Sequence, residues 1–301
     1  MRPATYAPIA LFVYNRPEHT QQTLLALRQC HGFAESPLYI FCDGANGAGD
    51  AGVEAARQVV RELAGDAEIV EAEANLGLAA SIIAGVTRLC EAYGRVIVLE
   101  DDLVVAGGFL TYMNDALDKY ADCESVMQIS GHMYEVSELA DSQQALFLPV
   151  TTSWGWATWK RAWDHFDAEA GGAEMLDDPV VAGRFNLDGA FDYRTMLRRQ
   201  LAGKSDSWAI RWYWSVFREG GLVLFPPQSL VDNRGFDGSG THGWRAASRA
   251  HRDLKLFSAS MSLPERIGVD REQMQAVRRA IIGMRRGRFG KIVDRVISLF
   301  L

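Results

Sequence analysis

The stretch Gly94-Arg95-Val96-Ile97-Val98-Leu99-Glu100-Asp101-Asp102-Leu103 constrains the fold more than any other part of the chain. Val96-Ile97-Val98-Leu99 is a short apolar run, rich in β-branched residues, of the kind that forms a strand buried on both faces. Three carboxylates follow it directly. Burying them without a partner would be very costly, so they belong at the open carboxyl end of the strand, facing a cation or a cleft. That end of an open α/β sheet is where ligands bind. A divalent ion carrying a nucleotide diphosphate would relieve the repulsion, because ions of the Mg²⁺ type use one or two carboxylates together with phosphate oxygens. A strand followed by the acidic start of a helix gives the same letters without a ligand.

The remaining elements alternate in the same way. Pro8 to Tyr14 reads as a first strand, with Pro17 and Glu18 suited to the first turn of the helix that follows. Leu38 to Cys42 reads as a second strand closing on Asp43-Gly44, Val53 to Leu63 as a helix, and Glu68 to Glu71 as a third strand. A helix from Leu78 to Tyr93 leads into the acidic strand; Phe109 to Tyr120 reads as helix and Val126 to Ser130 as strand. Strand–helix alternation at this spacing predicts an α/β fold with a mostly parallel sheet flanked by helices. No linker interrupts it, so residues 1–275 read as one domain, with a nucleotide-handling half (1–105) and an acceptor half (106–275). All eight tryptophans lie beyond residue 150, and residues 276–301 read as a basic amphipathic helix.

Composition narrows the setting. The chain has 301 residues, 48% hydrophobic and 23% charged, which is ordinary for a globular protein. No run approaches a membrane span and no leader pattern opens the chain, so a cytoplasmic location is expected. Cys30, Cys42, Cys90 and Cys123 are widely spaced, as buried thiols in a reducing compartment would be. A net charge of −7 argues against nucleic acid as the partner. From Arg278 to Leu301, however, seven cations face only Asp294. With its interleaved apolar residues this tail suits peripheral contact with the inner face of an anionic membrane; the plainer alternative is a terminal helix packed on the body with its arginines solvated.

Several side chains are candidates for chemistry. The first strand ends in Tyr14-Asn15-Arg16-Pro17 and not in a glycine-rich phosphate loop, which excludes the usual dinucleotide and P-loop sites. Arg16 can meet a phosphate with its side chain, or simply be solvated at a helix start. Asp43 ends a strand as Glu100 does and can accept from a base or ribose, or make an Asp-Gly turn. Asn75 opens a turn into a helix whose N-terminus faces the same edge. Trp154 and Trp156 flank Gly155 in an expected loop and are the better candidates for sugar contacts. Trp159 and Trp163 sit at core spacing. Asp206 precedes Trp208-Ala209-Ile210-Arg211-Trp212, where indoles can desolvate a carboxylate, but Asp there also suits a helix N-cap. His242 lies in the glycine-rich Gly238-Ser239-Gly240-Thr241-His242-Gly243.

Pro8 to Pro17, Phe41-Cys42-Asp43-Gly44 and Val98 to Leu103 together resemble the motifs of GT-A (Rossmann-like) glycosyltransferases, in particular bacterial sugar transferases of surface-polysaccharide clusters. Glu100-Asp101-Asp102-Leu103 is similar to the acidic element of N-acetylglucosaminyltransferase I. The likeness continues through Thr152 to Trp163, Asp206 to Trp212 and Gly235 to His242, covering about residues 8 to 245. It implies a nucleotide-sugar donor, Mn²⁺ or Mg²⁺, and a glycan or lipid-linked acceptor. It places Asp102 and His242 on the metal, and Tyr14, Arg16, Asp43, Asn75, Glu100 and Asp101 on the donor. Trp154, Trp156, Trp208 and Arg211 fall on the acceptor side, with Asp206 as the base of an inverting displacement. The usual Asp-x-Asp spacing is present only as Glu100-x-Asp102. Two other readings fit the same acids: a sugar-nucleotide nucleotidyltransferase, and a glycan-binding protein of this fold without activity.

Overall fold

The structure, a computed structural model, describes residues 6–47, 50–235 and 261–286, with Arg285 and Arg286 described by their backbone alone. In chain order the first elements are β1 (Ile9–Val13), α1 (Pro17–Arg28), β2 (Leu38–Cys42), α2 (Ala51–Leu63), β3 (Glu68–Glu71), α3 (Leu78–Tyr93), β4 (Arg95–Glu100), β5 (Leu103–Val105) and α4 (Phe109–Lys119). There follow β6 (Val126–Ser130), β7 (Leu146–Leu148), β8 (Trp156–Trp159), α5 (Lys160–Trp163), α6 (Pro179–Phe185), α7 (Tyr193–Leu201) and α8 (Trp208–Arg218). The last are β9 (Leu222–Phe225), β10 (Val231–Asn233) and α9 (Arg271–Arg286). They form two compact units, one from residues 6–121, 154–160 and 230–235, the other from 122–153, 161–229 and 261–286.

The first unit carries strands in the order β3-β2-β1-β4-β8, the first four parallel and β8 antiparallel to β4. This is the α/β architecture that the alternation predicts. β1 is buried along its whole length, and in β4 Val96 to Leu99 are buried between a half-exposed Arg95 and Glu100. The helices begin and end where local chemistry directs. Pro17 opens α1 with Glu18 in its first turn, and Asp50 caps α2 by accepting from Gly52 N at 3.1 Å. Gly94 closes α3 in the left-handed region at φ +76°, its N–H reaching Cys90 O at 2.8 Å, so the chain turns at once into β4. β5 pairs antiparallel with β10, Leu103 opposite Asn233.

The expectation for Trp156 changes here. It begins strand β8 opposite Val98 of β4 and is fully buried, not in a loop. Trp159, opposite Arg95, ends the same strand, and its indole N–H donates to Leu117 O at 3.1 Å. Both tryptophans belong to the core.

In the second unit β6 runs parallel to β9, and β7 pairs antiparallel on the other side of β9. Its aromatic wealth is mainly core. Trp212, Tyr213 and Trp214 on α8 are buried, Phe185 stacks on Tyr213 at 4.5 Å, and Gln128 accepts from Trp212 Nε1 at 2.6 Å while donating to Thr152 O at 2.7 Å.

The basic helix begins earlier than residue 276. Along its described part, Val277 and Ile281 are fully buried, Arg278 pairs with Asp188 at 3.0 Å, and Arg279 pairs with Glu138 at 2.8 Å. This stretch packs on the protein and does not keep an apolar face for lipid. The rest of the basic tail, residues 287–301, lies outside the described residues. Among the described residues no helix is long and apolar enough to cross a membrane.

Candidate functional site

The ends of β1, β2 and β4 bring seven expected residues into one region of the first unit. Glu100 ends β4; Asp101 and Asp102 turn away from it toward β5. Arg16, just beyond β1, holds both aspartates: Nη2 donates to Asp101 Oδ1 at 2.5 Å and Nη1 to Asp102 Oδ2 at 3.0 Å. Asp101 is engaged on its other oxygen as well, accepting from Tyr14 N at 3.1 Å, and its carbonyl accepts from Thr23 Oγ at 2.8 Å. Asp102 differs. Its Oδ1 is buried and has no hydrogen-bond partner among the described residues, while the residue as a whole is only 9% exposed.

The charges in this corner act on one another at close range. Burial, reinforced by Asp102 and then Asp101, pushes the Glu100 carboxyl up to about 8 despite Arg16. Burial also raises Asp101, with Arg16 acting against it. For Arg16, burial works against the charge, but Asp101 and Asp102 outweigh it and hold the guanidinium above its ordinary value. One arginine thus faces three acids, and the site can take further positive charge.

The donor-side candidates meet around Asp43. Its Oδ1 accepts from Gly44 N and Leu76 N, each at 2.8 Å, and its Oδ2 from Gly77 N at 3.0 Å and Asn75 Nδ2 at 3.1 Å. Four donors on one buried carboxylate fix the turn that starts α3. Asp43 therefore shapes the loop, with its acceptor positions already engaged. Tyr14 Oη lies 3.4 Å from Asp50 Oδ2, and burial followed by Asp50 raises its phenol. Asp50 and Thr23 were not among the candidates; nothing in the linear sequence separates them from ordinary capping and helix residues.

The acceptor-side candidates are placed differently from expectation. Trp154 and Trp208 are buried, as is Trp156, so none presents an open ring face for a sugar. Gly155, between Trp154 and Trp156, has φ +60°, and a methyl there would meet Val231, Phe109 and Leu99 side chains at 2.9–3.3 Å, so core contacts close the turn. Asp206 belongs to the second unit. Its side chain is 71% exposed and pairs with Arg211 at 3.0 Å, so the desolvation expected of a base is absent; the indole nearest in sequence, Trp208, points into the core. The N-cap of α8 is Ser207, accepting from Ile210 N at 3.4 Å, not Asp206. His242 lies outside the described residues.

The cation that the resemblance implies can be tested against these groups. Among the described residues no three His, Cys, Asp or Glu side chains are arranged to hold an ion by themselves. Asp102 Oδ1 is nevertheless a buried, unpartnered carboxylate oxygen beside a half-buried Glu100. That donor set fits an ion of the Mg²⁺ or Mn²⁺ type, which is completed by phosphate oxygens and water.

No family model matches the chain, and no curated protein matches it. Among solved structures it is similar to GalNAc-T7 with UDP, GalNAc and Mn²⁺, at 12% identity over 81% of this chain and 46% of that one, with a TM-score of 0.48. The chain thus spans less than half of that protein. It is also similar to the mannosyltransferase PcManGT from Pyrobaculum calidifontis in complex with GDP-Man and Mn²⁺, at 13% identity over 72% of this chain and 75% of that one, with a TM-score of 0.37. A third similar structure is glucosyl-3-phosphoglycerate synthase from Mycobacterium tuberculosis with Mn²⁺, UDP and glucosyl-3-phosphoglycerate. Its identity is 9% over 53% of this chain and 58% of that one, with a TM-score of 0.32.

Proposed function

We propose that this chain is a metal-dependent glycosyltransferase of the GT-A type, moving a sugar from a nucleotide-sugar donor to a glycan or lipid-linked acceptor. The observation that carries the reading is the Asp102 carboxylate at the end of β4, buried, with Oδ1 left without a hydrogen-bond partner among the described residues. The order of strands supports it, since ligands in such sheets bind beyond the carboxyl ends.

In this reading Asp102 holds Mn²⁺ or Mg²⁺, with Glu100 beside it and His242 as a further ligand from the sequence resemblance. When bound, the ion neutralises charge on the leaving diphosphate. The chain's own residues do the rest. The Asp43-anchored turn at Asn75 to Gly77 shapes the edge that receives the nucleoside, and Tyr14 lines it. Asp101, engaged by Arg16 and by Tyr14 N, acts on the donor through that fixed corner. Asp206 takes the acceptor hydroxyl proton in an inverting displacement; its support is its place in the Asp206-to-Trp212 motif, and acceptor binding would have to supply the desolvation. The resemblance to bacterial surface-polysaccharide transferases supports an envelope polysaccharide or glycolipid as the product.

Release of nucleoside diphosphate from a panel of nucleotide sugars, with Mn²⁺ and mixed glycan acceptors, tests the reading. Asp102→Ala should abolish release with the fold intact, and Asp206→Asn should keep donor binding while losing turnover. Pyrophosphate release from a nucleoside triphosphate and a sugar phosphate would show a nucleotidyltransferase instead. Binding without turnover for every acceptor would show a glycan-binding protein.

A further inference from the structure

Asp102 is held from two directions, by a hydrogen bond to its carboxylate oxygen Oδ2 and by chain that is bonded to its main-chain carbonyl and packs against that same Oδ2. On one side is the Arg16 fork. Its Nη1 contact to Asp102 Oδ2 cannot swing away freely, because Nη2 is anchored on Asp101 Oδ1 and Asp101 is itself held by Tyr14 N and Thr23 Oγ. On the other side is the chain leaving β10. Arg234 N donates to Asp102 O at 2.8 Å, the Arg234 carbonyl lies 3.1 Å from His19 Nε2, and Gly235 N donates to Asn233 Oδ1 at 2.8 Å.

These bonds bring the Gly235 backbone against the carboxylate. A methyl group added at Gly235 would overlap Asp102 Oδ2 and come within 3.0 Å of Arg16 Nη1. Gly235 is not among the glycines of positive φ, so what this position requires is space and not backbone freedom. A glycine is needed because two segments far apart in sequence meet at one oxygen.

We infer that Arg16 and Gly235 are positioning residues that lock Asp102 through Oδ2, so that Oδ1 stays presented to the divalent cation. The inference rests on the proposed function for the cation; the packing of Gly235 on Asp102 does not. It changes the part expected of Arg16, whose two terminal nitrogens are engaged with acids and act through Asp102 rather than on a phosphate. Groups that orient a metal ligand in this way typically change metal affinity 10–100-fold when altered.

The test uses the full chain and two readouts. In the first, calorimetric titration of UDP, GDP and dTDP with and without Mn²⁺ gives the metal-dependent part of binding. Gly235→Ala should weaken Mn²⁺-dependent binding by roughly 10–100-fold and leave metal-free nucleotide binding unchanged. Arg16→Lys, which keeps the charge but cannot span both acids, should weaken it in the same sense. In the second, melting temperatures are measured without metal for Gly235→Ala, Asp102→Ala and the double variant. Shortening Asp102 removes the overlap, so the double variant should melt above Gly235→Ala alone. This rescue reads the contact even if Gly235→Ala folds poorly. Unchanged Mn²⁺-dependent binding in Gly235→Ala and Arg16→Lys, or additive losses in the double variant, would overturn the inference. If the wild type binds none of the three nucleotides with Mn²⁺, the functional reading itself fails and the cation role falls with it, whereas the rescue experiment still reports on the contact.

Discussion

Asn75 donates its side-chain amide to Asp43 Oδ2 at 3.1 Å, and through that bond the end of β2 dictates where α3 begins. Asp43 takes three backbone N–H groups besides, two of them from Leu76 and Gly77 at the helix start. Asp43→Ala should therefore act on structure first. Loss of charge-assisted bonds to a buried acceptor costs on the order of 2–3 kcal/mol, visible as an earlier urea midpoint, with Asp43→Asn losing less. An unchanged midpoint would return Asp43 to direct ligand contact.

Trp156 separates packing from recognition. It is fully buried opposite Val98, so Trp156→Ala should destabilise the protein by about 3–5 kcal/mol through the cavity it leaves. Trp156→Phe should keep the acceptor KM while lowering the melting temperature. A raised KM at unchanged stability would instead make Trp156 a sugar contact.

Two buried thiols contribute to the alkaline limit, together with the buried phenols of Tyr112, Tyr134 and Tyr213, which burial also raises. Burial pushes Cys30 and Cys42 from 9.0 up to about 12. Unfolded thiols lose protons from about pH 9 while the folded ones keep them, so the folded state binds more protons there and stability falls as pH rises through that window. Urea midpoints should hold to about pH 8 and drop by about pH 10.5. Replacing both cysteines with alanine should make that drop shallower, the buried tyrosines supplying the remainder; an equally steep loss would assign all of it to other groups.

The described part of α9 is expected to serve the body. Ile281→Ala should cost about 2–5 kcal/mol because the side chain is fully buried. Arg279→Ala removes a solvent-exposed pair with Glu138, and should leave both stability and binding to anionic vesicles nearly unchanged. Strong loss of vesicle binding in Arg279→Ala would restore a lipid role to this helix.

Most of the sheet was legible because its strands are short apolar runs between turn signals. Leu38 to Cys42, Glu68 to Glu71 and Val126 to Ser130 form strands with the bounds that the pattern predicts, and α3 does likewise. β8 was not legible. Every residue of Trp156 to Trp159 is buried, so no alternation shows, and the spacing to Trp163 imitates a helix face. The acids at the end of β4 were visible as a charge problem. Their solution was not, since it depends on Arg16, Tyr14 N and Gly235 arriving from distant segments. Asp206 shows the opposite limit: Trp208, close to it in sequence, turns into the core and leaves the carboxylate exposed.

In the proposed function Asp102 receives a divalent ion together with a nucleotide diphosphate. Calorimetric titration of UDP, GDP and dTDP into the wild type and Asp102→Ala, each with and without Mn²⁺, tests it most directly. One nucleotide should bind the wild type markedly tighter with Mn²⁺, and Asp102→Ala should lose this gain while remaining folded. Equal affinity with and without Mn²⁺ in the wild type, or the full Mn²⁺ gain retained in Asp102→Ala, would contradict it.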